Sequence, residues 1–145
     1  WWPYFPTPDR HVNYDPAKYP ARWQSFKDYT FKQIEEIMTN YGSVDLLWLD
    51  GAWVRPVNNM SKEFEAWGKK NNYNQDIDMA RISTMARQRQ PGLLVVDRWV
   101  NGPYENYLTP ENKVPEKALS VPWESCITMA TSWSYVKTDR YKSVR

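Results

Sequence analysis

A single cysteine, Cys126, and a single histidine, His11, are all that this 145-residue chain offers of either type. One cysteine excludes an internal disulfide. One cysteine and one histidine cannot supply the four-ligand set of a structural zinc site, so no metal is expected. No apolar run approaches the roughly 20 residues that a membrane helix needs, and no membrane partner is expected. Charge of neither sign dominates: 19 basic and 17 acidic residues are well mixed, for a net of +2. The Lys/Arg stripe of a nucleic-acid-binding surface is missing. Low-complexity segments and short repeats are missing too. The length fits one domain.

What the chain has instead is aromatic surface and proline. Aromatics make up 16% of it, with nine tryptophans and ten tyrosines, beside eleven prolines. Most of the tryptophans are expected in a core and its covering loops. The excess suits stacking against flat apolar faces, sugar rings among them. The chain opens on Trp1-Trp2-Pro3, without an initiator methionine or signal peptide, and it is expected to be an internal slice of a longer protein.

Residues 1–19 are rich in Pro, Tyr and Asp and read as a long loop. Pro20 can open a helix at its first turn. Trp23, Phe26, Thr30, Ile34, Ile37, Met38 and Tyr41 then recur at three- and four-residue steps, one face of an amphipathic helix ending at Tyr41-Gly42. A buried strand over 44–49 follows. Residues 61–70 form a short helical pattern, and a longer one runs from about Asp76 to Gln90 with Ile77, Ala80, Met85 and Ala86 inward. Pro91-Gly92 stops it, and Leu93-Leu94-Val95-Val96-Asp97 is a second apolar run ending in charge. Helix, turn and buried strand thus occur twice in series, which predicts a parallel α/β sheet or barrel. A third candidate strand lies in Pro122–Met129, after a Pro/Asn/Gly-rich loop.

In α/β folds the C-terminal ends of parallel strands are where sites are built. Asp50 stands at such an end, inside Leu47-Trp48-Leu49-Asp50-Gly51-Ala52-Trp53, and is either a working carboxylate or the first residue of an Asp-Gly turn. Glu111 lies 111 − 50 = 61 residues later, in the loop after the second strand. Glycoside hydrolysis needs a carboxyl pair, one to attack or to activate water and one to protonate the leaving oxygen. Trp48, Trp53, Trp99 and Trp123 flank these positions, and Arg98 at the second strand end can bond sugar hydroxyls or fix a carboxylate.

The stretches Leu47–Trp53, Val96-Asp97-Arg98-Trp99, Thr109-Pro110-Glu111, Pro122-Trp123-Glu124-Ser125-Cys126 and Ser132-Trp133-Ser134-Tyr135 together resemble the α-L-fucosidases of glycoside hydrolase family 29. The resemblance covers nearly the whole chain, in order and spacing. It implies an α/β fold of the (β/α)₈ TIM-like barrel type, of which residues 1–145 would be roughly the middle three units of one catalytic domain. It implies retaining, exo-acting hydrolysis of terminal α-L-fucose on a fucosylated glycan, with no cofactor. Asp50 then corresponds to the nucleophile, and Trp48, Trp53, Arg98 and Trp133 to substrate-binding residues. Glu111 is the choice for the acid/base, ahead of Glu124 and Glu105. Val96 stands where the family usually has asparagine, and Ser134 where glycine is common. The histidines that hold fucose hydroxyls would precede Trp1, and His11 does not replace them. Secretion or a periplasmic location is favoured by the resemblance; the oligomeric state is not indicated. Two other readings stay open, a different α/β-barrel glycosidase and a non-catalytic carbohydrate-binding module.

Overall fold

In a computed structural model the fold is described for residues 15–50, 54, 74–96, 98 and 102–143. The expected helix over 61–70, most of the N-terminal loop, and Trp53 with its neighbours Gly51 and Ala52 lie outside the described residues. The chain divides into two compact units, Trp1–Asn106 and Tyr107–Arg145.

The first unit begins with a 3₁₀ turn, Pro16–Lys18, whose Asp15 side chain accepts from the Ala17 amide. Helix α1, Pro20–Asn40, follows, with its proline in the first turn where no intrahelical donor is lost. Gly42 at φ +91° ends it, in a left-handed conformation that glycine adopts without strain. Strand β1 is Leu46–Trp48, helix α2 is Met79–Arg89 and strand β2 is Leu94–Val96. The strands pair in parallel, Leu46 with Leu94 and Trp48 with Val96. The predicted parallel pair is therefore present, and the described residues form a mixed α/β structure.

Ile34 and Met38 of α1 pack with Ile82, Met85 and Ala86 of α2 and with Leu47 and Val95 of the sheet to form the core. Helix α1 turns a narrower stripe inward than its periodicity predicts, since Ile37 is 45% and Tyr41 69% exposed. Tyr41 instead donates to Glu36, whose hydrogen bond and charge raise the phenol pKa. In α2 the buried face holds Met79, Ile82 and Ser83, while Ala80 is exposed. The helix starts at Asp78, left-handed at φ 67°, whose side chain accepts from the Arg81 amide. Salt bridges Arg89–Glu35 at 3.1 Å and Arg81–Asp28 at 3.7 Å edge the helix pair. The Gln90 side chain donates to Met38 O (2.7 Å) and Gly42 O (3.0 Å), closing the last carbonyls of α1 just before β1 starts.

The strands are shorter than the apolar runs, and β1 alternates. Leu47 is buried against the helices, but Leu46, Leu94 and Trp48 remain 41%, 45% and 36% exposed on the opposite face. In the second unit the third predicted strand is replaced by two isolated parallel bridges, Leu108↔Trp123 and Glu111↔Cys126. Pro122 has no N–H to give to a ladder, so the pairing there runs through its carbonyl, which accepts from Leu108 N at 3.0 Å.

Candidate active site

The register of the sheet positions Asp50, Arg98 and Trp48. Asp50 and Arg98 each lie two residues beyond the Trp48–Val96 rung, so strand periodicity aims both at the face that Trp48 occupies. The Leu49 amide donates to Val96 O at 2.7 Å and carries the pairing up to Asp50. Arg98 Nη1 lies 3.5 Å from Asp50 Oδ1, and its guanidinium carbon stands 4.9 Å from the centre of the Trp48 ring. The distance is long for a hydrogen bond, so charge attraction dominates. Arg98 is buried at 5% exposure, whereas the Asp50 side chain is 39% exposed. A buried cation thus backs a carboxylate that solvent can reach, a geometry suited to a group that must meet a ligand.

The loop after Arg98 is held by Asn106. Its amide donates to Val95 O, and its Oδ1 accepts from Val95 N, both at 2.8 Å, so one residue occupies both ladder groups of Val95. Arg87 of α2 donates to Asn106 Oδ1 (2.9 Å) and Tyr104 O (2.6 Å), fixing this arrangement from the helix side.

Glu111 belongs to the second unit, within a paired segment. Leu108 N donates to Pro122 O and Glu124 N to Leu108 O, both at 3.0 Å, and Asn112 N donates to Cys126 O at 2.8 Å. Side chains cross-link the same two stretches. Tyr107 donates to Glu124 Oε2 at 3.2 Å, and Asn112 Oδ1 accepts from the Thr128 amide at 3.1 Å. Burial pushes the Tyr107 phenol up, and the Glu124 carboxylate adds to the shift. Glu124 is thereby engaged in holding the segment on which Glu111 rides. Glu105 precedes Asn106 and lies in the first unit.

Trp133 is 63% exposed at the rim of a cleft of about 290 Å³, shared with Met129, Tyr135, Tyr141 and Asp139. Asp139 closes the loop beneath it. Its carboxylate accepts from the Thr131 hydroxyl and from the amides of Thr131, Ser132 and Arg140. The Thr131 hydroxyl above all, with those amides, lowers its pKa to about 2.

The structure thus brings Asp50, Arg98 and Trp48 together in the first unit, and Glu111 and Trp133 belong to the second. Reading the sequence missed Asn106, Asn112 and Asp139, which bond backbone rather than forming a motif. Their only sequence signal is residue type, because Asn and Asp satisfy local amides and tolerate left-handed backbone. Among the described residues no three His, Cys, Asp or Glu side chains gather to hold a metal ion, and no helix is long and apolar enough to cross a membrane.

Polar groups gathered beyond the C-terminal ends of neighbouring parallel strands mark the α/β class of site. Within that class the chain belongs to the alpha-L-fucosidase family, whose model matches residues 3–145. Similar solved structures include alpha-L-fucosidase AlfC from Lactobacillus casei in complex with alpha-L-fucose product, at 20% identity and TM-score 0.48, covering 81% of this chain and 31% of that one. Unliganded AlfC matches at 20% identity and TM-score 0.48, covering 85% and 34%. An AlfC aspartate-to-alanine variant in complex with Fuca(1,6)GlcNAc matches at 23% identity and TM-score 0.40, covering 86% and 33%. The chain spans about a third of the length of these structures' chains. No curated protein matches it.

Proposed function

We propose that this chain is part of the catalytic domain of a retaining exo-α-L-fucosidase, a glycoside hydrolase that releases terminal α-L-fucose from glycans. Membership of the family supports the substrate and the reaction class. The observation that carries the site is the buried Arg98 guanidinium 3.5 Å from the half-exposed Asp50 carboxylate, over the Trp48 ring. Asp50 attacks the anomeric carbon as the bond to the leaving oxygen breaks, while Glu111 gives that oxygen its proton. The covalent fucosyl-enzyme is then hydrolysed by water, which Glu111 deprotonates. Arg98 orients Asp50 and bonds sugar hydroxyls, and Trp48, Trp53 and Trp133 provide apolar faces for the ring. The domain is a (β/α)₈ barrel. The sheet face bearing Leu46, Leu94 and Trp48 is the one its closure would cover, which supports that architecture.

The test uses the full-length protein with α-L-fucosides of good and poor leaving groups. Asp50→Ala should lose turnover on both, by roughly 10⁴-fold or more. In kcat/KM, Glu111→Ala should lose about 10²- to 10⁴-fold on the poor leaving group and little on the good one, while its kcat on the good one falls because the hydrolytic step lacks its base. A larger leaving-group effect in Glu124→Ala would move the acid role there. The first product anomer, followed by NMR, should be α; β-fucose would exclude retention.

The exposed aromatics Trp133, Tyr135 and Tyr141 around one cleft favour a second reading, a carbohydrate-binding module without turnover. Sugar binding by the full-length protein without release of any aryl fucoside, galactoside or glucoside would establish it.

A further inference from the structure

Asn112 follows Glu111 directly and has φ +51°, a left-handed conformation that Asn, Asp and Gly adopt at low cost. Its amide donates to Cys126 O at 2.8 Å, continuing the pairing of the Glu111↔Cys126 bridge. Its Oδ1 accepts from the Thr128 amide at 3.1 Å and lies 3.2 Å from Thr128 Oγ1. Thr128 is buried, with its hydroxyl also donating to Ala130 O at 2.7 Å and receiving Lys142 Nζ at 3.2 Å. The hydroxyl has one proton for two acceptors, so the backbone amide is the fixed partner of Asn112. Backbone pairing holds the chain before Glu111, and the Asn112 turn holds it after. The backbone at Glu111 is thereby fixed on both sides, leaving the carboxyl only its own side-chain torsions.

We propose that Asn112 is a positioning residue for Glu111: its left-handed turn, locked on the Thr128 amide, sets where the Glu111 carboxyl is presented. The proposal rests on the reading of Glu111 as acid/base. Proton transfer requires a heavy-atom approach of about 2.6–3.2 Å, and a misplacement near 1 Å can cost about 100-fold. Loss of the lock should therefore impair the reaction where the proton matters most.

Asn112→Gly separates the side chain from the backbone, because glycine keeps the left-handed turn and removes only the acceptor. In the full-length protein its kcat/KM should fall roughly ten- to 100-fold more on a poor leaving group than on an activated aryl fucoside. KM on the poor leaving group and the thermal midpoint should change little. Asn112→Asp, which returns an acceptor oxygen and tolerates the same backbone, should restore most of the loss. If the glycine variant folds poorly, Asn112→Ser withdraws the acceptor by one bond and gives the same comparison. Equal losses on both substrates, or none on either, overturn the proposal while Glu111→Ala keeps its leaving-group dependence. If Glu111→Ala shows no such dependence, the acid assignment has failed and this inference falls with it.

Discussion

Arg98 shows how one buried side chain can define a site. A guanidinium at 5% exposure is costly unless its charge is met, and here Asp50 and the Trp48 ring both face it. The planar fork spans a carboxylate and an aromatic face at once, which the compact ammonium of lysine cannot do. Arg98→Lys in the full-length protein should therefore lower kcat/KM about ten- to 100-fold, since lysine keeps the charge but loses the planar fork and the ring contact. Steady-state kinetics on an aryl fucoside measures this, and a near-normal value would remove Arg98 from the site. Asp50 was legible as a charge ending an apolar run. Its partner was legible from its place, because Arg98 follows the charge that ends the second run, two residues past β2. Asn112 was not, since a single left-handed residue leaves no periodic trace.

At the level of elements, short loops held by carboxylates and amides carry much of the organisation. Asp139 fastens 131–139 through a hydroxyl and three amides, and its pKa of about 2 lies below the ordinary 3.8. A depressed carboxylate stabilises fully above its unfolded pKa. That contribution shrinks as pH falls below about 3.8 and is gone once pH has passed through about 2. Trp133 fluorescence, read against a Trp133→Phe reference, should thus stay unchanged down to about pH 4 and alter only in stronger acid. Asp139→Asn should alter it already at neutral pH. The turn from α2 into β2 gives a different test. Gly92 has φ +91° with open space where a Cβ would sit, so Gly92→Ala meets backbone strain alone. It should destabilise by about 1–2 kcal/mol, seen as a thermal midpoint a few degrees lower. The 44–49 and 93–97 runs predicted β1 and β2, because β-branched and leucine-rich stretches between turns have few other uses. The run at 122–129 predicted a strand, and only the isolated Leu108↔Trp123 and Glu111↔Cys126 bridges formed there, beside a Pro122 with no N–H for a ladder.

At the level of the molecule, the described residues hold two parallel strands and two helices, and the chain spans about a third of the similar AlfC chains. Much apolar surface on the sheet stays open, with Leu46 and Leu94 each over 40% exposed. We expect the isolated 145 residues to release no nitrophenol from an aryl α-L-fucoside at concentrations where the full-length protein turns over readily. Measurable release, abolished by Asp50→Ala, would show that the chain suffices alone.

The sequence by itself determined the α/β alternation, the parallel direction of β1 and β2, the family, and the candidate residues Asp50, Arg98 and Glu111. Each follows from local order: apolar period, turn residues, and motifs in series. Only the tertiary structure decided that the α1 stripe loses Ile37 and Tyr41 while keeping Trp23, Phe26, Ile34 and Met38 against the core, that Arg98 is buried against Asp50 and Trp48, and that Glu124 bonds Tyr107 beside the Glu111 bridge. Burial and partner choice depend on which segments meet across tens of residues, and no local pattern encodes those meetings.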